Sequence, residues 1–151
     1  MPFETGPFIQ SACFCDMVLV DNTNSVSLIR IIDQVTFFIQ GEAPPNIMPP
    51  MHKPLTLAIM LKSGKARGRH TLKIIPELPD GSTLNAQEFS VHFDGEEKGH
   101  NVIVKTDITF TLEGLYWFLV DLDDERLTEI PLRVNYDRRV VSSSGVPNPP
   151  N

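Results

Sequence analysis

Cysteine is scarce: the 151 residues hold only Cys13 and Cys15, two positions apart. On a strand both would project to one side with the chain extended between them, a poor geometry for bridging to each other. They read as free thiols packing as small hydrophobes. A zinc site would need a second Cys or His pair, and a redox centre a C-x-x-C spacing; neither is present. Long apolar runs are missing too, and no stretch approaches the roughly 18 residues of a membrane span. The opening MPFETGPFIQ carries an acid and two prolines where a secretory signal has a basic start and an apolar core. Together with the free thiols, this places the expected compartment in the cytoplasm. Positive charge is in deficit. A net charge of -6 repels phosphate backbones and argues against nucleic acid as a partner.

Catalytic signatures are equally thin. There is no G-x-S-x-G elbow, and Gly64 and Gly68 in SGKARG lack the G-K-[ST] ending of a phosphate loop. Cys15 stands beside Asp16, whose charge disfavours a thiolate. Neither an enzyme nor a cofactor is expected.

What the chain does have, at 41% hydrophobic and 21% charged residues, is enough apolar content for one globular domain with a core of its own. Its clearest periodicity is two, the beat of strands. Phe89, Val91 and Phe93 alternate with Ser90 and His92; Val102, Val104, Ile108 and Phe110 alternate with polar residues, with Ile103 and Thr106 out of phase. Leu55, Leu57, Ile59 and Leu61 form another set, followed after SGKARG by Leu72 and Ile74. Tyr116, Phe118, Val120 and Leu122 share a face, as do Ile130, Leu132, Val134 and Tyr136. Pro131 lies inside that last strand and calls for a sheet edge or an outward-facing nitrogen. The segments FIQSACFCDMVLVD and SVSLIRIIDQVTFFIQ are apolar on both parities, as in interior strands covered on two faces or strands bent by a bulge, and Asp21–Asn24 between them makes a hairpin turn.

The expected fold is all-β: a single antiparallel β-sandwich, immunoglobulin-like or jelly-roll, of about eight strands. The domain spans 8–136, with a proline-rich connecting strap at 42–54 that crosses between sheets and a mobile C-terminal tail at 137–151.

Four constellations carry possible chemistry. The acids Asp121, Asp123, Asp124 and Glu125 fall where the chain reverses, a position Asp favours, and they lack the spaced ligands and glycine of a calcium loop. His92 and Asp94 project from one strand face with His100 across the DGEEKG bend, so the three could converge as a two-histidine, one-carboxylate metal set in a small metal-binding protein or metal-dependent hydrolase. Lys62, Lys65, Arg67 and Arg69 crowd a basic hairpin turn that could receive an anionic ligand. Asp16, set in an apolar strand, calls for a partner, and Arg30 on the next strand is the nearest candidate.

FCD at Phe14–Asp16, SLIRIIDQVTF at Ser27–Phe37 and GLYWFLVDLDDERLTEIPLRV at Gly114–Val134 together resemble a widespread family of small, uncharacterised bacterial proteins, a domain of unknown function. Its signatures are a Phe-Cys-Asp start and a closing Gly-x-Tyr-x-Phe hairpin with Ile-Pro-Leu. Relatives typically carry Gly near Arg30 and Asp-Gly where this chain has Asp123 and Asp124. The resemblance implies the sandwich and brings no catalytic site. The expected role is therefore a non-enzymatic protein-binding or assembly module, with a protein partner or a second copy as its ligand and no membrane or nucleic acid involved.

Overall fold

The computed structural model describes residues 5–142, and its regular elements are all β-strands. They are β1 (Phe8–Val20), β2 (Val26–Ile32), β3 (Gln34–Gly41), β4 (Met51–Gly64), β5 (Gly68–Glu77), β6 (Gln87–Phe93), β7 (Glu96–Phe110), β8 (Gly114–Leu122) and β9 (Glu125–Val140). Among the described residues no helix is long and apolar enough to cross a membrane. The strands make two sheets, ordered β2-β1-β4-β7 and β3-β9-β8-β5-β6.

The alternation seen in the sequence assigns the inner faces. Leu55, Leu57, Ile59 and Leu61 of β4 meet Leu72 and Ile74 of β5, Tyr116, Phe118 and Val120 of β8, and Ile130, Leu132 and Val134 of β9 in one continuous core. Phe14 packs edge-on against Phe118 with ring centroids 4.7 Å apart, an arrangement worth about 0.5–1.5 kcal/mol beyond the area it buries. Thr106, out of phase in the sequence, keeps its inward position because its hydroxyl donates to the Leu55 carbonyl at 2.8 Å. Ile103 keeps the frame by facing outward, 38% exposed.

At the crossover from β7 to β8 the Tyr116 hydroxyl donates to the Leu112 carbonyl at 2.9 Å and accepts the Leu112 N–H at 3.1 Å. This is the tyrosine corner of immunoglobulin-like sandwiches. With the strand order, it makes the arrangement immunoglobulin-like rather than jelly-roll.

Several expectations change. Among the described residues there are nine strands, because SVSLIRIIDQVTFFIQ breaks at Asp33 into β2 and β3, which join opposite sheets. β3 then runs parallel to β9, so the sandwich is antiparallel except at this pair. The strap does cross between sheets, but it ends at Pro50: Met51–Pro54 belongs to β4, with Pro54 opposite Asp107. Tyr136 and Arg138 hold it by donating to the carbonyls of Pro45 and Pro44, and Met48 is buried beneath it. Asp137–Val140 extends β9 against Phe38–Gly41 rather than starting the tail, whose positions from 143 onward lie outside the described residues. Pro131 sits in a strand that is not an edge, yet β3 pairs with β9 only from Arg133 onward, so the proline falls where that flank has no ladder to interrupt.

Two pairs of sequence neighbours expected as hairpins are not paired with each other. β4 and β5 lie in different sheets, and so do β6 and β7. SGKARG and DGEE are therefore corners between layers.

Candidate functional site

The β8–β9 tip is a two-residue reversal in which Asp123 and Asp124 both take left-handed backbone, φ 48° and 64°, the geometry of a type I′ hairpin turn. Asp123 is fastened to β5: its N–H donates to the Thr71 carbonyl at 3.0 Å, and its Oδ1 accepts the Thr71 N–H at 3.0 Å. Its Oδ2 meets His70 Nδ1, while His70 Nε2 lies 2.9 Å from the Arg67 carbonyl. A carbonyl and a carboxylate can only accept, so this pair of partners favours the doubly protonated ring, in which both nitrogens donate. Accordingly the Asp123 contact pushes the His70 pKa up, and the Thr71 N–H and His70 together hold Asp123 below its ordinary value. Lys73 spans Asp124 at 3.2 Å and Glu88 at 3.6 Å, and Arg126 joins Asp121 to Glu129. A shallow concavity of about 330 Å³ lies there, lined by Thr71, Lys73, Glu88, Asp123 and Asp124. Its acids already have cationic partners. They organise a turn.

His92 and Asp94 do share a face, with Nε2 and Oδ1 3.1 Å apart, and the His92 backbone N–H reaches His100 Nδ1 at 3.4 Å. The reason is not the expected hairpin. Gly95 (φ 104°) and Glu96 (φ 55°) turn the chain into the other sheet, where His100 is opposite Leu61 of β4. His100 Nδ1 is thus occupied by a backbone donor, and both the His92 and Asp94 side chains are more than half exposed. Among the described residues no three His, Cys, Asp or Glu side chains gather in a way that could hold a metal ion.

Of the four basic residues, Arg67 is engaged within the fold. Arg67 donates to the carbonyls of Gly64 and Ala66 at 2.7 and 3.0 Å and pairs with Glu96 at 3.1 Å, clamping the β4–β5 corner to the β6–β7 corner. Gly95 passes so close that a Cβ there would lie 2.1 Å from the Arg67 guanidinium carbon. Lys65 and Arg69 are exposed and Lys62 is half-buried, opposite Gly99. Arg67 is structural, and the basic hairpin turn resolves into a cross-brace with separate cations around it.

The surface that stands out is apolar. β1 and β2 form the expected hairpin, with Val20 opposite Val26, and Arg30 Nε pairs with Asp16 at 2.8 Å as expected, although on an exposed surface rather than in a buried one. Arg30 takes left-handed backbone, φ 55°; this position and the Asp123–Asp124 turn are where relatives are expected to use glycine, which adopts that conformation without Cβ strain. Val18, Val26 and Leu28 pack on a second small cluster of Cys15, Ala58 and Met60. Burial raises the Cys15 pKa, aided by Cys13 and Asp16, so this thiol packs as a hydrophobe. Five large apolar residues of the hairpin are left outside: Met17, Leu19, Val20, Ile29 and Ile31 are 42–63% exposed. The hairpin tip is nonetheless well built, since Asp21 Oδ1 accepts from the N–H groups of Thr23 and Ser25.

Sequence reasoning placed these strands in the interior. The charged pair Asp16–Arg30 in mid-strand was the available signal for a sheet edge.

These features define a small immunoglobulin-like β-sandwich module with an uncovered apolar hairpin at one edge. By family, the match runs over residues 10–135, and the chain belongs to DUF6941, a family of unknown function. No curated protein matches it. Among solved structures it is similar to an immunoglobulin-like protein from Pseudomonas aeruginosa, at 15% identity over 87% of this chain and 98% of that one, TM-score 0.43. It is also similar to the alkylpurine DNA glycosylase of Pseudomonas fluorescens bound to DNA containing an abasic site analog, at 9% identity over 82% of this chain and 30% of that one, TM-score 0.39.

Proposed function

We propose that the protein is a non-enzymatic protein-binding or assembly module of the cytoplasm, needing no cofactor, whose contact surface is the β1–β2 hairpin. One observation carries this reading: Met17, Leu19, Val20, Ile29 and Ile31 are all exposed, distributed over both faces of an ordered hairpin whose outer strand is a sheet edge. Soluble domains keep such patches small unless a partner covers them. Among the described residues no strand lies along the outer flank of β2, so its backbone groups can meet an incoming strand, and the flanking aliphatic side chains supply apolar area to bury.

The test is in-cell cross-linking of the tagged chain, compared with a Leu19→Lys, Ile31→Lys double variant. Both positions are exposed, so stability should move by no more than about 0.5 kcal/mol per substitution. The cross-linked species, whether a second copy or another protein, should disappear from the folded double variant. Their persistence would show that the hairpin is not the contact surface.

A further inference from the structure

The edge opposite β2 in the four-stranded sheet is β7, and the two sheets come together along this side unevenly. Near the β6–β7 corner they are stitched by Arg67 and Glu96 and by the His92 N–H on His100. Away from it they diverge: β6 begins only at Gln87, opposite Ile74, whereas β7 continues to Phe110. A cavity of about 530 Å³ opens in the gap, walled by Phe14, Leu57, Val104 and Ile108 from one layer and Ile74 and Phe118 from the other. Half-buried Val104, Thr106 and Ile108 line its outer part, with the buried side chains of Phe14, Leu57, Ile74 and Phe118 behind them.

The mouth of this cavity is a strand. Val104, Thr106 and Ile108 pair with Leu57, Leu55 and Lys53 of β4 on one flank; on the other flank, among the described residues, β7 has no strand beside it. An edge strand points alternate N–H and C=O groups outward in the plane of the sheet. A hydrocarbon chain or other apolar small molecule would leave those groups without partners, whereas an extended peptide would satisfy them and send every second side chain inward. The volume is within the roughly 300–1,000 Å³ range of pockets that seat ligands.

We propose that the β7 edge from Val104 to Phe110 and the cavity behind it bind an extended peptide segment of a partner protein, with apolar residues at alternate positions. The peptide joins the sheet as a fifth strand and seats apolar side chains between Val104, Ile108 and Phe118. This site is independent of the β1–β2 surface, since β2 and β7 are opposite edges of one sheet.

The experiment uses the full chain and a displayed library of nine-residue peptides with apolar residues fixed at alternate positions, beside a library of the same composition in block order. The alternating library should enrich. A synthetic copy of an enriched peptide should slow exchange, by about tenfold or more, of those amides in Val104–Thr109 that face away from β4. A central proline in that peptide should abolish binding, because proline cannot donate to the ladder. Val104→Phe, which narrows the cavity, should weaken binding by about tenfold or more, a loss that ordinary surface changes do not produce; Ile31→Lys should leave it unchanged. Four results would overturn the proposal: no enrichment, a protection footprint on β2, indifference to the central proline, or occupation of the cavity by dodecanoate with no peptide binding. A loss with Ile31→Lys but not with Val104→Phe would transfer the peptide to the hairpin surface and leave the β7 site without support.

Discussion

The β1–β2 and β8–β9 hairpins are built from similar material, a run of aliphatic and aromatic residues closed by an Asp-containing turn, yet they meet opposite fates. β8–β9 is flanked on both sides, by β5 and β3, and its inward set of Tyr116, Phe118, Val120, Leu122, Ile130, Leu132 and Val134 is buried. β1–β2 has β4 on one side only, and five of its large apolar residues stay exposed. Apolar content in the first hairpin exceeds what the core can use. That surplus is exposed on the described surface of the molecule.

The contrast is sharpest in the core. Phe118→Ala removes a 4%-exposed ring that stacks edge-on with Phe14, and should cost about 3–5 kcal/mol in urea or thermal unfolding. Leu19→Ala, at 50% exposure, should shift the same transition by no more than about 0.5 kcal/mol. Equal losses at the two positions would mean the hairpins are not different in kind.

Smaller is the corner that brings the chain into β8. Tyr116→Phe deletes one hydroxyl and leaves the N–H and carbonyl of Leu112 without that partner, for an expected loss of about 1–3 kcal/mol in chemical denaturation. No change would show that water replaces the hydroxyl.

The smallest effect belongs to the β8–β9 tip and depends on pH. His70 is raised above its ordinary 6.5, so its contribution is fully present below that value and is lost as pH rises through the folded-state pKa. Asp123 is lowered from 3.8, so its contribution is present above that value and is lost as pH falls through the folded-state pKa. The pair therefore stabilises most between 3.8 and 6.5. The melting temperature should fall between about pH 6 and pH 8 by more in the wild type than in His70→Gln, and parallel curves would dismiss the ion pair. The tip of β1–β2 offers no counterpart, because Asp21 is held by Thr23 and Ser25 rather than by a cation.

Much of this was legible from residue order. The inward sets of β4, β8 and β9, the turns at Asp21–Asn24 and Asp123–Asp124, the Asp16–Arg30 pair and the strap between sheets all follow from periodicity and turn chemistry. The candidate sites were less so. His92 and Asp94 do pair, but His100 meets only the His92 backbone, at a corner between layers where its ring nitrogen accepts that N–H. Arg67 turned out to be a brace, which depended on Glu96 arriving from another strand. Its neighbours in sequence gave no sign of that contact.

By itself the sequence determined the inward sets of β4, β8 and β9 and the turns at Asp21–Asn24 and Asp123–Asp124, because alternation and turn propensity are local properties of the backbone. Only the tertiary structure decided that β4 and β5, or β6 and β7, part into separate sheets, that β2 and β7 become edges, and that a cavity opens beside β7. Turn residues specify that a chain bends and leave open which strand it joins next. Edges and gaps are set by the pairing of strands distant in sequence.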